Sequence, residues 1–169
     1  MVAAAIPAVR IGAVAELTRL EQQIAALLCK SRKKAMAEGG SINKIIGPQS
    51  VNFSNINGLS AEMAFGKLAN CYPDFSEIPN EWDFRLNGLS LDIKVTKYQN
   101  GKLLLPIYKV PYSEAVDGYC LMVGQFPGPF EFRGFMYRSE LVTNWRIISL
   151  GHGAVYAAHQ HELSEFPYE

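Results

Sequence analysis

The sequence predicts a mixed α/β fold in which helices flank a largely antiparallel central sheet. Two helical patterns of apolar residues occupy the first 70 residues, and strand-like runs rich in apolar and β-branched residues follow from residue 81. The 169 residues suffice for one domain and a small appendage. A hydrophobic fraction of 49% is too high for a disordered chain, and no run reaches the ~18 consecutive apolar residues of a membrane span.

The first helix is predicted over residues 13–37, where leucine and isoleucine recur every three or four positions and share one face. Its last turns are basic and are followed by Gly39-Gly40, as expected for a helix C-terminus. The basic end is either a solvated helix terminus or a phosphate-contacting patch. The apolar stripe docks either on the main domain or on a partner subunit. The stripe and the basic end consist of Leu17, Leu20, Ile24, Leu27 and Leu28, and of Lys30, Arg32, Lys33 and Lys34.

A linker is predicted over residues 39–58, which are rich in Gly, Ser and Asn. It divides the chain into an N-terminal helical extension with linker (1–57) and a main domain (58–169). The formal net charge is zero, but residues 1–58 carry seven Lys and Arg against three Asp and Glu, whereas the remainder carries nine against thirteen. Neutrality therefore hides a basic arm and an acidic core, and is weak evidence against a nucleic-acid partner.

The main domain is predicted to begin with a second helix, from Leu59 to Asn70, with Ala61, Ala64, Phe65 and Leu68 on its apolar face. It is predicted to continue mostly as strands. The apolar run 119–126 is typical of a central strand that is buried on both faces. The other elements are strands at 81–86, 89–96, 102–108 and 130–137, a short helix near Leu141 and a last strand within 154–163. The three widely spaced cysteines show no disulfide or metal-site pattern, which together with the lack of a secretory signal predicts a cytoplasmic protein.

A β-hairpin carries the most informative residues. Asn87-Gly88 between two strand-like runs predicts a two-residue type I′ turn, and this turn fixes the register. Phe84 then pairs with Leu91, and Asp83 pairs with Asp92. Residues that alternate along a strand share a face, so the hairpin has one polar and one apolar side. The polar side holds Glu81, Asp83, Asp92 and Lys94, and the apolar side holds Phe84, Leu86, Leu91, Ile93 and Val95.

Two carboxylates that face each other destabilise a sheet, unless a cation lies between them. Carboxylate oxygens are ligands that Mg²⁺ or Mn²⁺ prefers, with water and phosphate completing the shell. Lys94 is placed to orient an attacking water or to stabilise charge on a phosphate. The alternative is structural: Asp83 caps a strand, Asp92 is solvated, and Lys94 pairs with Glu81.

At these residues the sequence resembles the PD-(D/E)XK nuclease superfamily. The segment NGLSAEMAFGKLAN resembles its first core helix with the acidic residue, Glu62. The segment EWDF supplies Asp83, with Trp82 in place of the usual proline, and LDIK supplies Asp92 and Lys94. The runs DGYCLMVGQF and FEFRGFMYRSEL resemble later core elements, so that the resemblance covers about residues 58 to 145.

The resemblance implies a restriction-endonuclease-like core, with a central mixed sheet flanked by helices, and Mg²⁺- or Mn²⁺-dependent endonuclease or exonuclease activity on DNA. Asp83 and Asp92 would be metal ligands, Glu62 an auxiliary ligand, and Lys94 the residue that activates water or stabilises the transition state. The alternative function is a non-catalytic nuclease-fold module for DNA binding or assembly. The N-terminal helix makes a homo-oligomer or a larger complex a further expectation.

Residues around the hairpin are weaker candidates for DNA contact. Thr96 lies on the same predicted face as Lys94. Lys97, Lys102 and Lys109 either contact phosphates or are charges on a solvated strand. Four tyrosines either stack on bases or brace the strands, and packing is the favoured interpretation. They are Tyr98, Tyr108, Tyr112 and Tyr119.

Overall fold

Three helices and two β-sheets form the part of the chain that the computed structural model describes, residues 9–38, 51–76 and 81–167. The helices are α1 (Arg19–Glu38), α2 (Val51–Leu68) and α3 (Arg138–Leu141). The strands are β1 (Val14–Ala15), β2 (Phe84–Leu86), β3 (Leu89–Thr96), β4 (Leu103–Pro106), β5 (Gly118–Gly124), β6 (Phe130–Tyr137), β7 (Ile147–Ser149) and β8 (Ala154–Ala158). Short 3₁₀ helices cover Ile107–Tyr112, Asn144–Arg146 and Gln160–Glu162.

The larger sheet has five strands in the order β1-β6-β5-β3-β2. Strands β3 and β5 are parallel, and the other neighbours are antiparallel, so the sheet is mixed. The smaller sheet has the order β4-β8-β7 and is antiparallel. The prediction of an α/β fold with a mixed central sheet and helices is confirmed. Among the described residues, no helix combines the length and the apolar character that crossing a bilayer requires.

Strand β5 is the central strand, and its two faces belong to two different hydrophobic clusters. Cys120 and Met122 pack in the cluster that includes residues of α2, whereas Tyr119 and Leu121 pack in the cluster that includes Leu103 of β4. Each of these four β5 side chains is at most 1% exposed. The prediction of a strand buried on both faces is confirmed, and alternation along β5 separates the two sides of the sheet.

The N-terminal helix begins later than predicted. Residues 14–15 form β1 and pair with β6, through the register Val14↔Glu131 and Ala15↔Phe130. Helix α1 starts after Thr18, whose hydroxyl accepts a hydrogen bond from the Glu21 amide at 3.2 Å. The Glu21 carboxylate accepts one from the Thr18 amide at 2.6 Å. This reciprocal capping box overrides the helical spacing of the preceding residues.

The apolar stripe of α1 docks only in part on the rest of the chain. Ala25 is fully buried in the cluster that contains α2, and Ile24 and Leu28 pack against that cluster. Leu20 and Leu27 are 65% and 66% exposed. The helix therefore packs on the main domain, and a partner subunit at the remaining leucines stays a prediction.

The C-terminal part of the predicted linker belongs to helix α2. Residues 39–50 lie outside the described residues, and residues 51–58 belong to α2, so the prediction of an extended loop at 51–58 is wrong. Tertiary contacts favour the helix there: the Asn57 side chain donates to the Gly124 carbonyl (3.3 Å) and accepts from the Phe126 amide (2.7 Å). Helix α2 thus runs through the expected boundary at residues 57 and 58, while the division into 1–57 and 58–169 stays a prediction.

Three predicted strands are trimmed in the structure. The run 81–86 pairs only at Phe84–Leu86, and the run 102–108 becomes strand only at Leu103–Pro106 before the chain turns into a 3₁₀ helix. The C-terminal run 154–163 ends as strand at Ala158. Strands at 89–96 and 130–137 occur as predicted.

Candidate functional site

The hairpin of β2 and β3 has the predicted turn and register. Asn87 and Gly88 have φ values of 49° and 76°, as a type I′ turn requires. Phe84 pairs with Leu91, and Arg85 pairs with Ser90. The apolar side faces α2, and the ring centroids of Phe84 and of Phe65 in α2 lie 5.3 Å apart. The buried residues of this side are Phe84, Leu86, Leu91 and Ile93, with Val95 packed against them.

The pairing predicted beyond Phe84 does not form. Asp83 donates its amide to the Leu91 carbonyl at 2.8 Å instead of pairing with Asp92, and the prediction of a directly opposed pair is wrong. Glu81 is exposed and lies outside β2, so it does not pair with Lys94 either. Neither pair forms because β2 begins only at Phe84, so that residues 81–83 lie outside the sheet.

The Asp83 side chain nevertheless reaches β3. Its Oδ2 accepts a hydrogen bond from the Ile93 amide at 2.6 Å. Within the described part of the chain, residues 92–96 of β3 have no strand neighbour on the β2 side, because the β2 pairing stops at Leu91. The Asp83 carboxylate thus accepts the hydrogen bond that the backbone of a longer β2 would have accepted from the Ile93 amide. It lies at this open edge of β3, next to Asp92.

Asp92 and Lys94 lie on the opposite side of β3 from the α2 cluster. In the parallel register they align with Tyr119 and Leu121, which face the second cluster. The Lys94 Nζ atom forms an ion pair with Asp92 Oδ2 at 2.5 Å and lies 5.8 Å from the centre of the Tyr119 ring. The two charged side chains are only 23% and 19% exposed, so water screens the pair weakly.

Glu62 approaches the same region from α2. The predicted apolar face of this helix is confirmed, since Ala61, Ala64 and Phe65 are fully buried. Glu62 pairs with the Arg32 guanidinium of α1 at 3.7 Å, and the two side chains are 16% and 14% exposed. Arg32 also donates to the carbonyls of Asp74 (2.5 Å) and Ser76 (3.1 Å), so it ties α1, α2 and the following segment together.

The charges of these side chains act on one another. Burial raises the pKa of Glu62 to about 7, although Arg32 opposes the shift, and the charge of Asp92 adds to it. Burial together with the charges of Glu62 and Asp92 raises the pKa of Asp83 well above its ordinary value. Burial acts to lower the pKa of Lys94, but its pairing with Asp92 and the charge of Asp83 raise it. We call Glu62, Asp83, Asp92 and Lys94 the acidic–lysine cluster.

The ligand chemistry of the acidic–lysine cluster fits a hard divalent cation, since its carboxylate oxygens are the donors that Mg²⁺ and Mn²⁺ prefer. A cation would also relieve the mutual repulsion that contributes to the raised pKa of Asp83. One carboxylate oxygen of Asp83 accepts a hydrogen bond from the Ile93 amide, and one carboxylate oxygen of Asp92 contacts the Lys94 ammonium. In the described ranges, no three His, Cys, Asp or Glu side chains are grouped closely enough to bind a metal ion.

The weaker candidates lie at the end of β3 and beyond it. Thr96 accepts a hydrogen bond from the Tyr98 amide at 3.2 Å and packs so closely on Gly101 that a Cβ there would collide with it, which indicates a turn-forming role. The exposed Lys97 lies with its ammonium 5.3 Å from the Tyr98 ring centre. Lys102 is half-buried just before β4.

Two neighbours of the cluster were not expected from the sequence. Arg32 was predicted only as part of a basic helix end, and nothing local indicates that it pairs with Glu62, 30 positions later. Tyr119 lies beside Lys94 because β3 and β5 are parallel, which the sequence did not predict. Comparison of the chain with models of protein families, with curated proteins and with solved structures found no match.

Proposed function

We propose that the protein is a Mg²⁺- or Mn²⁺-dependent deoxyribonuclease with a restriction-endonuclease-like core, related to the PD-(D/E)XK superfamily. The observation that carries the proposal is the acidic–lysine cluster itself. Glu62 from α2, Asp83 just before β2, and Asp92 and Lys94 from β3 lie within electrostatic reach of one another at the open edge of a mixed sheet, and their charges contribute to the shifted pKa values of Glu62, Asp83 and Lys94. Their order along the chain matches the motif order of the superfamily.

A purely structural role explains this arrangement poorly. Burial and the charges of Glu62 and Asp92 raise the pKa of Asp83, and keeping a carboxylate in such surroundings costs free energy of folding. Strongly perturbed groups gathered in one place are typical of functional sites. The open edge of β3 also leaves Asp92 and Lys94 partly accessible, which a site for a large substrate needs.

The residues have distinct roles in this proposal. Asp83 and Asp92 would hold the cation, with Glu62 as an auxiliary ligand. The bound Mg²⁺ or Mn²⁺ would supply a Lewis acid for the phosphate and lower the pKa of a bound water. Lys94 keeps its positive charge next to Asp92, where it orients the attacking water or stabilises charge that develops on the phosphate. Arg32 keeps the Glu62 carboxylate in place.

The second candidate is a nuclease-fold module without catalysis, which binds DNA or assembles with other subunits. It is favoured by the direct ion pair between Lys94 and Asp92, which satisfies both charges without a cation. It is also favoured by the lack of a three-ligand group among the described residues. Under either proposal the protein is cytoplasmic, in keeping with its three free cysteines.

Cleavage assays with a matched pair of lysine variants test the proposal. Linear, nicked, branched and single-stranded DNA are incubated with Mg²⁺ or Mn²⁺ and with wild type, Lys94→Met or Lys67→Met. Lys67 of α2 pairs with Glu21 of α1, away from the cluster, and serves as the control. We expect cleavage by wild type and the control, and a loss of about 100-fold or more in Lys94→Met. Equal cleavage by both variants would refute the catalytic role, and no cleavage of any substrate would favour the binding module.

A further inference from the structure

The 3₁₀ helix Ile107–Tyr112 lies next to the acidic–lysine cluster. Val110 of this helix packs in the hydrophobic cluster that contains Tyr119, and the centre of the Tyr119 ring lies 5.8 Å from the Lys94 Nζ atom. In keeping with this position, burial and the charge of Lys94 lower the pKa of Lys109. In a 3₁₀ helix, residues three positions apart lie on the same face. Tyr112 therefore lies on the same face of this 3₁₀ helix as Lys109.

The aromatic side chains of this segment are unusually exposed. Tyr112 is 76% exposed and Tyr108 is 43% exposed, although each ring would gain free energy from burial. Hydrogen bonds to the Val110 carbonyl hold the segment that carries them in place. Arg138 donates to the Val110 carbonyl at 3.3 Å, and the Ser113 hydroxyl donates to the same carbonyl at 3.0 Å. Rigidly held exposed rings beside a cation are typical of surfaces that stack on bases.

We propose that Tyr112 and Lys109, with Tyr108 beside them, form a platform for an unpaired DNA strand that leads into the acidic–lysine cluster. This inference rests on the proposed function and names its substrate class: single-stranded DNA or an unpaired end, in preference to an intact duplex. Tyr112 stacks on an unstacked base, and Lys109 contacts the adjoining phosphate.

The charge distribution favours an unpaired strand over a duplex. Residues 59–169 carry nine Lys and Arg against thirteen Asp and Glu, so the main domain lacks the basic excess on which sequence-independent duplex binding depends. Affinity must then come from another source. Base stacking on an exposed aromatic ring adds to the contribution of the Lys109 cation, and it needs bases whose faces are not covered by stacked neighbours in a duplex.

Binding without cleavage tests the platform separately from catalysis. Fluorescence anisotropy in EDTA measures the Kd of a labelled oligothymidylate and of a duplex of the same length. The variants are Tyr112→Ala, Tyr112→Phe, Lys109→Ala and, as a matched control, Tyr72→Ala. Tyr72 is 91% exposed and follows Cys71, which packs in the cluster on the α2 side of the sheet, whereas Val110 of the platform helix packs in the other cluster. All four changes lie at exposed positions, and unchanged Tm values verify the fold.

We expect wild type to bind the single strand more tightly than the duplex, and Tyr112→Ala to weaken single-strand binding by about fivefold or more. Tyr112→Phe keeps the ring and should retain the affinity, as should Tyr72→Ala. Lys109→Ala should lower the slope of log Kd against log salt by about 0.7, the loss of one phosphate contact. Equal affinity for both DNA forms, or unchanged binding by Tyr112→Ala, would overturn the platform. If the protein cleaves DNA normally but gives either of these binding results, the platform is wrong and the proposed nuclease function stands.

Discussion

Each carboxylate of the acidic–lysine cluster is compensated by a partner of its own. Asp83 accepts from the Ile93 amide, Asp92 pairs with Lys94, and Glu62 pairs with Arg32. A partly buried carboxylate that lost its partner would carry an uncompensated charge, which is strongly destabilising. Substitution of any one of these residues should therefore change the charge state of the neighbouring groups and the free energy of unfolding of the protein.

The pKa of Glu62 predicts how stability depends on pH. Its folded value of about 7 lies above the ordinary 4.5, so the folded state binds a proton more tightly than the unfolded chain between these values. The free energy of unfolding in EDTA should therefore fall as pH rises through this window, by at most about 1.4 kcal/mol per unit from this group. The raised pKa of Asp83 acts in the same direction.

Urea denaturation across this pH range measures the effect. Glu62→Gln removes one titrating group and should flatten the dependence. The control is Glu21→Gln, because Glu21 has a lowered pKa and its contribution to stability is already complete above its ordinary value. A dependence that is equally steep in Glu62→Gln and wild type would show that the burial of Glu62 does not govern its protonation.

At the scale of elements, the unequal lengths of β2 and β3 create the site. Strand β2 has three residues and β3 has eight, so the second half of β3 extends past its partner. A longer β2 would satisfy the Ile93 amide through its backbone and displace the Asp83 carboxylate from it. The hairpin turn fixes which residues pair, and the end of that pairing at Phe84 and Leu91 leaves the second half of β3 open.

Two glycines should respond to the same substitution with opposite signs. Gly88 has a φ of 76° in the hairpin turn, so Gly88→Ala should destabilise the protein by about 1–2 kcal/mol. Gly58 lies inside α2 with nothing within 4 Å of a Cβ, so Gly58→Ala should stabilise it by about 0.5–1 kcal/mol. Chemical denaturation measures both. A stabilised Gly88→Ala would contradict the type I′ turn, and a destabilised Gly58→Ala would contradict the helix at this position.

At the scale of the whole molecule, the N-terminal elements are part of the folded unit. Strand β1 extends the larger sheet, and α1 buries Ala25 against the cluster that contains α2. Arg32 on the same helix reaches Glu62 of the candidate site. The N-terminal part thus supports the site directly, as well as carrying the exposed leucines that remain a candidate contact for a partner subunit.

Charge substitution on the two sides of α1 tests this integration. Ala25 is fully buried and Leu27 is 66% exposed. Ala25→Asp should lower the free energy of unfolding by more than about 3 kcal/mol, because it buries an unpaired charge. Leu27→Asp should lower it by less than about 1 kcal/mol. Thermal and urea denaturation provide the comparison, and equal effects of the two variants would mean that α1 does not pack as described.

The hairpin was predictable because its signals are local. A positive-φ pair such as Asn87-Gly88 and a period of two in the flanking residues determine turn, register and faces without reference to the rest of the chain. The buried run at β5 and the apolar face of α2 were predictable for a similar reason, since the pattern of each segment reflects its own burial. The signal of the Thr18 capping box is also local, since Thr18 and Glu21 are three residues apart, but the apolar spacing of the residues before it predicts an earlier helix start.

The sequence by itself determined the hairpin and placed Asp92 and Lys94 on its polar side, because turn chemistry and alternation act over a few residues. The tertiary structure decided where β2 ends, that Asp83 bonds the Ile93 amide, and that Arg32 holds Glu62. It also decided that residues 51–58 are helical and that β3 runs parallel to β5. These contacts join segments far apart in the chain, and they form only when burial of the shared core compensates the entropy of bringing the segments together.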